Sequence, residues 1–301
     1  MDPEVDRIIR DIKSLSIQGA REVAKAGLRA LEQAAKKSRA KTAKAFVSEL
    51  EKTAVKVSRT RPTEPGLKHM LSITLVKVRG FDTADVKKLK RFTFGVIEGL
   101  LDELESALDR IAENGARLIK SGDMIMTHCH SHSVVEILRK AKKQGKKFKV
   151  IVTETRPLYQ GLMTAKDLLK SGIPVIYSED SAVGHFMKVT TKVLVGCDAI
   201  LPNGAVVNKI GTLPMAIVAS HFGKPVFVAG GTIKITPDVQ IEFREAEEII
   251  EPKRLPGAKI INPAFDVTPP EFIDRIITEK GTVRPDMIDR LLTREVENPF
   301  G

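Results

Sequence analysis

The stretch Met124-Ile125-Met126-Thr127-His128-Cys129-His130-Ser131-His132-Ser133 decides how this chain is read. Its first residues form a short apolar run, its middle is polar, and helix-type spacing takes over near Ser133. A strand that runs into a turn and then a helix is the opening half of a βαβ unit. The same pattern repeats outward. Apolar runs at 148–152, 174–177, 193–196 and 225–229 read as further strands, separated by helix-length segments such as 133–143, 162–171 and 212–221. Strands alternating with helices predict a parallel sheet buried on both faces, whose ligands sit outside the carboxyl ends of its strands.

Upstream the periodicity is helical. Ile8, Ile9, Ile12 and Leu15 recur at three- and four-residue spacing, as do Val23, Gly27, Ala30 and Leu31. Phe94, Ile97, Leu100, Leu101, Leu104 and Leu108 stripe a helix expected to stop near Gly115, and Arg61-Pro62-Thr63-Glu64-Pro65-Gly66 demands a loop. The expected architecture is α/β: an N-terminal helical domain over 1–118, then a Rossmann-like parallel-sheet catalytic domain over 119–301. The active crevice is expected between them.

A length of 301 residues, about twice a ~150-residue domain, agrees with two domains. Hydrophobic residues at 42% and charged residues at 29% exclude a wholly disordered chain. No apolar run reaches the ~18 residues of a membrane span, and MDPEVDRIIRDIK lacks the apolar core of a signal peptide. Two cysteines cannot build a disulfide framework. The expectation is a soluble, cytoplasmic protein with no membrane partner. The net charge of +11 suits a phosphorylated metabolite as well as nucleic acid. With 5% aromatics, two Tyr and no Trp there is little material for base stacking, and no nucleic-acid-binding signature is present, so nucleic acid is disfavoured as a partner.

Four segments fall just after strands. In the first, Cys129 stands close to a helix N-terminus, where free amides and the helix dipole favour a thiolate that could serve as nucleophile or base. Two other readings stay open: alternate histidines joined by Cys129 could bind a metal, or the small polar residues merely cap the helix. The second is Thr153-Glu154-Thr155-Arg156-Pro157, followed by Gln160-Gly161. Arg156, fixed before a proline, could fork a phosphate or carboxylate, or simply pair with Glu154.

The third runs from Gly196-Cys197-Asp198 through the turn Asn203-Gly204 to Asn208-Lys209-Ile210-Gly211-Thr212, read as opening a helix. Asp198 closes a strand and would share a crevice with Cys129, where a desolvated carboxyl can keep its proton and act as general acid. Asn208 and Lys209 beside a helix N-terminus suggest an anion cradle. Cys197 points the other way by strand alternation and reads as core packing. In the fourth, Ala229-Gly230-Gly231-Thr232-Ile233-Lys234, the glycines allow close backbone approach and Lys234 offers another phosphate contact, or the segment is a plain surface loop. Neither a Walker-type run nor GxGxxG is present, which speaks against a nucleotide-driven or dehydrogenase chemistry.

Taken in order, Ile17-Gln18-Gly19-Ala20, Arg61-Pro62-Thr63, His128-Cys129-His130-Ser131, Glu154-Thr155-Arg156-Pro157, Gly196-Cys197-Asp198, 203–212 and 262–270 resemble one superfamily. It joins translation initiation factor 2B regulatory subunits, methylthioribose-1-phosphate isomerases and archaeal ribose-1,5-bisphosphate isomerases. The match runs from about residue 8 to 290, and length and layout are most similar to the last branch. The resemblance implies a proton-abstracting Cys129 and a proton-donating Asp198. It implies substrate contacts from Gln18, Gly19, Ala20, Arg21, Arg61, Ser131, Arg156, Gln160, Asn208, Lys209 and Lys234. The regulatory branch generally lacks the cysteine, so Cys129 favours an enzyme. Two departures stand out: Gln18 replaces the usual Arg of Arg-Gly-Ala, and Ala-Gly-Gly-Thr at 229–232 replaces Ala-Glu-Thr-aromatic.

The implied reaction is the aldose-ketose isomerisation of ribose 1,5-bisphosphate to ribulose 1,5-bisphosphate, in AMP metabolism. It moves protons only and requires no metal and no redox cofactor, with AMP as a candidate activator. Methylthioribose 1-phosphate is the alternative substrate, and a regulatory binding subunit is the alternative of another class. The superfamily also implies a homo-oligomer, dimer or hexamer.

Overall fold

A computed structural model describes residues 3–17, 19–61, 64–237 and 239–291. The described residues up to Ser106 form one compact unit and those from Ala107 onward a second. The first holds helices α1 (Pro3–Lys13), α2 (Ala20–Lys37), α3 (Ala43–Ser58) and α4 (Pro65–Arg79), and most of α5 (Val86–Ala116), whose last turns belong to the second. The predicted stripes are the buried faces: Ile8 and Ile12 on α1, Val23 and Leu31 on α2, Ile97, Leu100 and Leu104 on α5. Leu15 departs from the expected helical series, because α1 ends at Lys13 and Leu15 turns to φ 61°.

The second unit carries β1 (Met124–Thr127), β2 (Lys149–Thr153), β3 (Val175–Ser178), β4 (Lys192–Gly196), β5 (Ala199–Ile200), β6 (Val206–Lys209), β7 (Val226–Ala229), β8 (Phe265–Thr268), β9 (Arg275–Thr278) and β10 (Gly281–Val283). Its helices are α6 (His132–Lys143), α7 (Gln160–Lys170), α8 (Val183–Met187) and α9 (Thr212–His221). The main sheet has the order β10-β9-β7-β4-β1-β2-β3 and is parallel apart from the β9–β10 pair. Strand alternation sorts its residues into two cores. Ile125, Val150, Val152 and Leu194 face α6 and α7, while Met126, Ile151, Val193 and Val195 face α8 and α9. The five strands read from the sequence are all present, and the fold class is as expected.

The order matters for function. From β1 the chain builds through β2 to β3 on one side, then crosses back to lay β4 against the other edge of β1. The winding therefore reverses between β1 and β4, and in an open α/β sheet the crevice at such a switch point is where ligands bind. Cys129 follows β1 and Asp198 follows β4.

A small antiparallel sheet, β5-β6-β8, was not legible in the sequence. Its register sets Asn208 opposite Asp266 and Lys209 opposite Phe265. Asp266 Oδ2 accepts the amides of Gly211 at 2.8 Å and Leu213 at 3.1 Å, so it caps α9. The expected anion cradle at this helix start is thus corrected: the protein's own carboxylate already holds the amides.

Burial pushes the Asp266 carboxyl up to about 6, against the opposing pull of the amides of Leu213, Gly211 and Thr212. Its folded value exceeds the ordinary 3.8, so the folded chain keeps a proton that the unfolded chain has released. Stability should fall as pH rises from about 4 to about 6, by of the order of 1–2 kcal/mol after screening by solvent. Denaturant unfolding of wild type and Asp266→Asn across this window checks it, the variant giving the flatter profile. Parallel profiles would mean that burial of Asp266 is not the cause.

Candidate active site

The site is built where β1 ends. His128 is buried, with Nε2 2.8 Å from the carbonyl oxygen of Ile210 and Nδ1 2.6 Å from Thr153 Oγ1. Desolvation holds its pKa below the usual histidine value, so the ring is neutral. A carbonyl can only accept, which assigns the proton to Nε2 and leaves Nδ1 to accept from the Thr153 hydroxyl. This one ring joins the ends of β1 and β2 to the loop before α9.

Cys129 follows with φ 67°, in the left-handed region. Its amide donates to Thr155 Oγ1 at 2.8 Å, and its carbonyl accepts from Thr164 Oγ1, also at 2.8 Å. Ser131 caps α6, accepting the Val134 amide at 3.4 Å. It packs so closely on β4 that a Cβ at Gly196 would lie 2.5 Å from its Oγ. Ser131 is therefore a helix cap pressed against the strand that leads to Asp198.

On the β4 side, the Asp198 amide bonds the Val207 carbonyl at 2.8 Å and so hangs the residue on the small sheet. Cys197 is buried in the core, as alternation requires, and a Cβ at Gly230 would lie 2.2 Å from its sulfur. Close approach is thus the reason for the first glycine of 230–231. Lys234 donates to the Cys197 carbonyl at 2.5 Å, one residue before Asp198. Asn208 is buried and donates to Thr212 Oγ1 at 2.9 Å. The Lys209 ammonium lies 4.7 Å from the centre of the Phe265 ring.

These groups meet electrostatically at the thiol. Burial pushes Cys129 up to about 11. The positive charge of Lys209 and the His130 amide favour the thiolate, while the negative charges of Asp198 and Asp180 oppose it. The expectation of a helix-stabilised thiolate needs correction. Cys129 stands ahead of the cap of α6, and desolvation outweighs what the amides return.

The rings of His130 and His132 stand edge-on with centroids 5.0 Å apart, and His128 is held elsewhere. Both nitrogens of His128 are engaged, and His130 Nδ1 is 3.0 Å from Thr164 Oγ1. Burial and the neighbouring His132 push His130 down to about 4. Among the described residues no three His, Cys, Asp or Glu side chains are grouped to hold a metal ion.

The remaining expected residues are placed as follows. The Arg156 guanidinium donates to the Tyr159 hydroxyl and the Ile249 carbonyl, not to Glu154. Its backbone amide and that of Thr155 are held by the Asp180 carboxylate at 2.7 and 2.8 Å. Gln160 starts α7 and is buried, its Oε1 without a hydrogen-bond partner. In the helical unit, Gly19 (φ 87°) precedes α2 and Ala20 is buried in its first turn. Arg21 is bound to Glu22 and Glu105, and Arg61 is buried against Glu64 at 3.2 Å. Gln18 lies outside the described residues.

Sequence reasoning missed Thr155, Thr164, Asp180 and Asp266. Thr155 lay inside a quoted motif, but nothing in its spacing announces that its hydroxyl reaches the backbone of Cys129.

The initiation factor 2 subunit family model matches residues 16–285. The chain is 42% identical over 294 residues to the ribose 1,5-bisphosphate isomerase of Pyrococcus furiosus, covering 94% of this chain and 91% of that one. It is 34% identical to the methylthioribose-1-phosphate isomerase of Pelotomaculum thermopropionicum, covering 98% and 86%. Among solved structures, translation initiation factor eIF-2B of Pyrococcus horikoshii OT3 superposes with a TM-score of 0.81 at 32% identity, covering 95% of this chain and 98% of that one. No helix among the described residues is long and apolar enough to cross a membrane. The chain belongs to the initiation factor 2 subunit family and is an enzyme, one of that family's isomerases.

Proposed function

We propose that the enzyme converts ribose 1,5-bisphosphate to ribulose 1,5-bisphosphate, with Cys129 as base and Asp198 as acid. The observation that carries the reading is that Cys129 follows β1 and Asp198 follows β4, on the two sides of the β1/β4 switch point, with the charges of Asp198 and Lys209 acting on the thiol. The 42% identity to a ribose 1,5-bisphosphate isomerase supports this choice of substrate.

A sugar phosphorylated at its anomeric oxygen cannot open as a free aldose does, so the ring oxygen must receive a proton. The Cys129 thiolate removes the C2 proton and the electron pair forms the C1=C2 bond. The bond from C1 to the ring oxygen breaks, and that oxygen takes the Asp198 proton. The resulting enol collapses to the ketone: C1 regains a proton from Cys129 and the C2 hydroxyl returns one to Asp198. Protons balance and both groups are reset.

A thiol raised to about 11 supplies little thiolate by itself at neutral pH. Transfer of one proton from Cys129 to Asp198 produces the working pair without changing its total charge. It also removes the negative charge of Asp198 that opposes the thiolate, leaving Lys209 to favour it.

Cys129→Ser and Asp198→Asn should each lower kcat by about a hundredfold to ten-thousandfold while substrate still binds, because a hydroxyl is a far weaker base and an amide supplies no proton. A coupled assay with calorimetric binding measures both. Near-wild-type turnover in either variant refutes the mechanism.

The bisphosphate carries about four negative charges and methylthioribose 1-phosphate about two, so a cationic site should separate them. Charged hydrogen bonds contribute roughly 1.5–3 kcal/mol each. A direct comparison of kcat/KM should favour the bisphosphate by at least about tenfold. The reverse preference would assign the chain to the methylthioribose-phosphate reaction, which the 34% relative represents.

A further inference from the structure

Cys129, at φ 67°, holds a left-handed conformation that a residue with a Cβ seldom adopts. Thr155, which accepts its amide, is itself left-handed at φ 64°, an outlier for a β-branched residue. Two such residues in contact must be held by what surrounds them, and the surroundings are specific. The Asp180 carboxylate takes the amide of Thr155 on one oxygen and that of Arg156 on the other. Thr155 is fully buried, and its Oγ1 lies 3.3 Å from the Thr153 carbonyl and 3.5 Å from His128 Nδ1. On the opposite side, buried Thr164 gives its only hydroxyl proton to the Cys129 carbonyl. His130 Nδ1 must then be the donor to Thr164 Oγ1 at 3.0 Å.

Resting on the reading of Cys129 as the base, we propose that Thr155, braced by Asp180, and Thr164 are positioning residues that clamp the Cys129 backbone and so place its sulfur for proton transfer. Neither acts on substrate. Thr155 arrives from the end of β2 and Thr164 from α7, so two separate elements grip the two polar atoms of one peptide-flanked residue. A helix cap or ordinary turn would not require both. Without the clamp, Cys129 relaxes toward the common backbone region and its sulfur leaves the desolvated position.

Thr155→Val and Thr164→Val keep side-chain volume and branching while removing the hydroxyl. Each should lower kcat by about ten- to a hundredfold with KM within about twofold, since a small misplacement of a reacting group has that effect. Thr155→Ser and Thr164→Ser, which restore the hydroxyl, should recover most of kcat. The pH profile of iodoacetamide alkylation of Cys129, read by mass spectrometry, follows the sulfur independently of turnover. Its midpoint should move in the valine variants from about 11 toward the ordinary 9.0 as the thiol gains solvent. A general loss of fold would expose Cys197 to alkylation as well, so the test requires Cys197 to stay protected. Thr164→Val, on a regular helix, carries the test if Thr155→Val does not fold. An unchanged alkylation midpoint in the folded valine variants overturns the clamp, whatever their turnover. Active Cys129→Ser refutes the base reading instead, and the alkylation profile still decides whether the clamp exists.

Discussion

Hydrogen bonding at the end of β1 is the constraint on which the arrangement of the candidate site depends. Once the strand leaves its ladder, every polar backbone atom needs a new partner, and a buried one left without a partner costs about 1–3 kcal/mol. At 128–131 side chains supply those partners. Thr155 and Thr164 take the amide and carbonyl of Cys129, His128 ties together Thr153 and Ile210, and Ser131 begins α6. These hydroxyls and the neutral imidazole allow a left-handed cysteine to persist between a strand and a helix. The switch in winding between β1 and β4 then brings Asp198 to the same end of the sheet.

The electrostatics follow from that placement. Partial burial makes the Cys129 thiol prefer to stay neutral, and the negative charges of Asp198 and Asp180 reinforce the preference. Lys209 works against both, and its own position is set by the small sheet, where it stands opposite Phe265 with its ammonium over the ring.

The start of α9 shows how a motif can mislead. Asn208-Lys209-Ile210-Gly211-Thr212 has the residue types of an anion cradle, yet the amides at the helix start belong to Asp266, more than fifty residues further on. The amides at the start of α9 are thus occupied from within the fold, by a carboxylate from β8. The Arg156 guanidinium reaches a tyrosine and a carbonyl, while its backbone amide is held by Asp180.

Local periodicity by itself determined the helical first part, the alternating second part, and the five central strands, because apolar spacing reports which face of each element is buried. It also brought out Cys129 and Asp198, since residues just past the strands of a parallel sheet stand at its ligand-binding end. The tertiary structure alone decided the strand order, the antiparallel β5-β6-β8 sheet and the partners of Cys129. Thr155, Thr164, Asp180 and Asp266 act on residues 25 to 55 positions away, or through another residue so placed, and hydrogen bonds of that kind leave no period in the chain. The protonation of Cys129 was equally beyond the sequence. A helix start nearby argued for a thiolate, but only packing determines how much water reaches the sulfur, and desolvation is the larger effect.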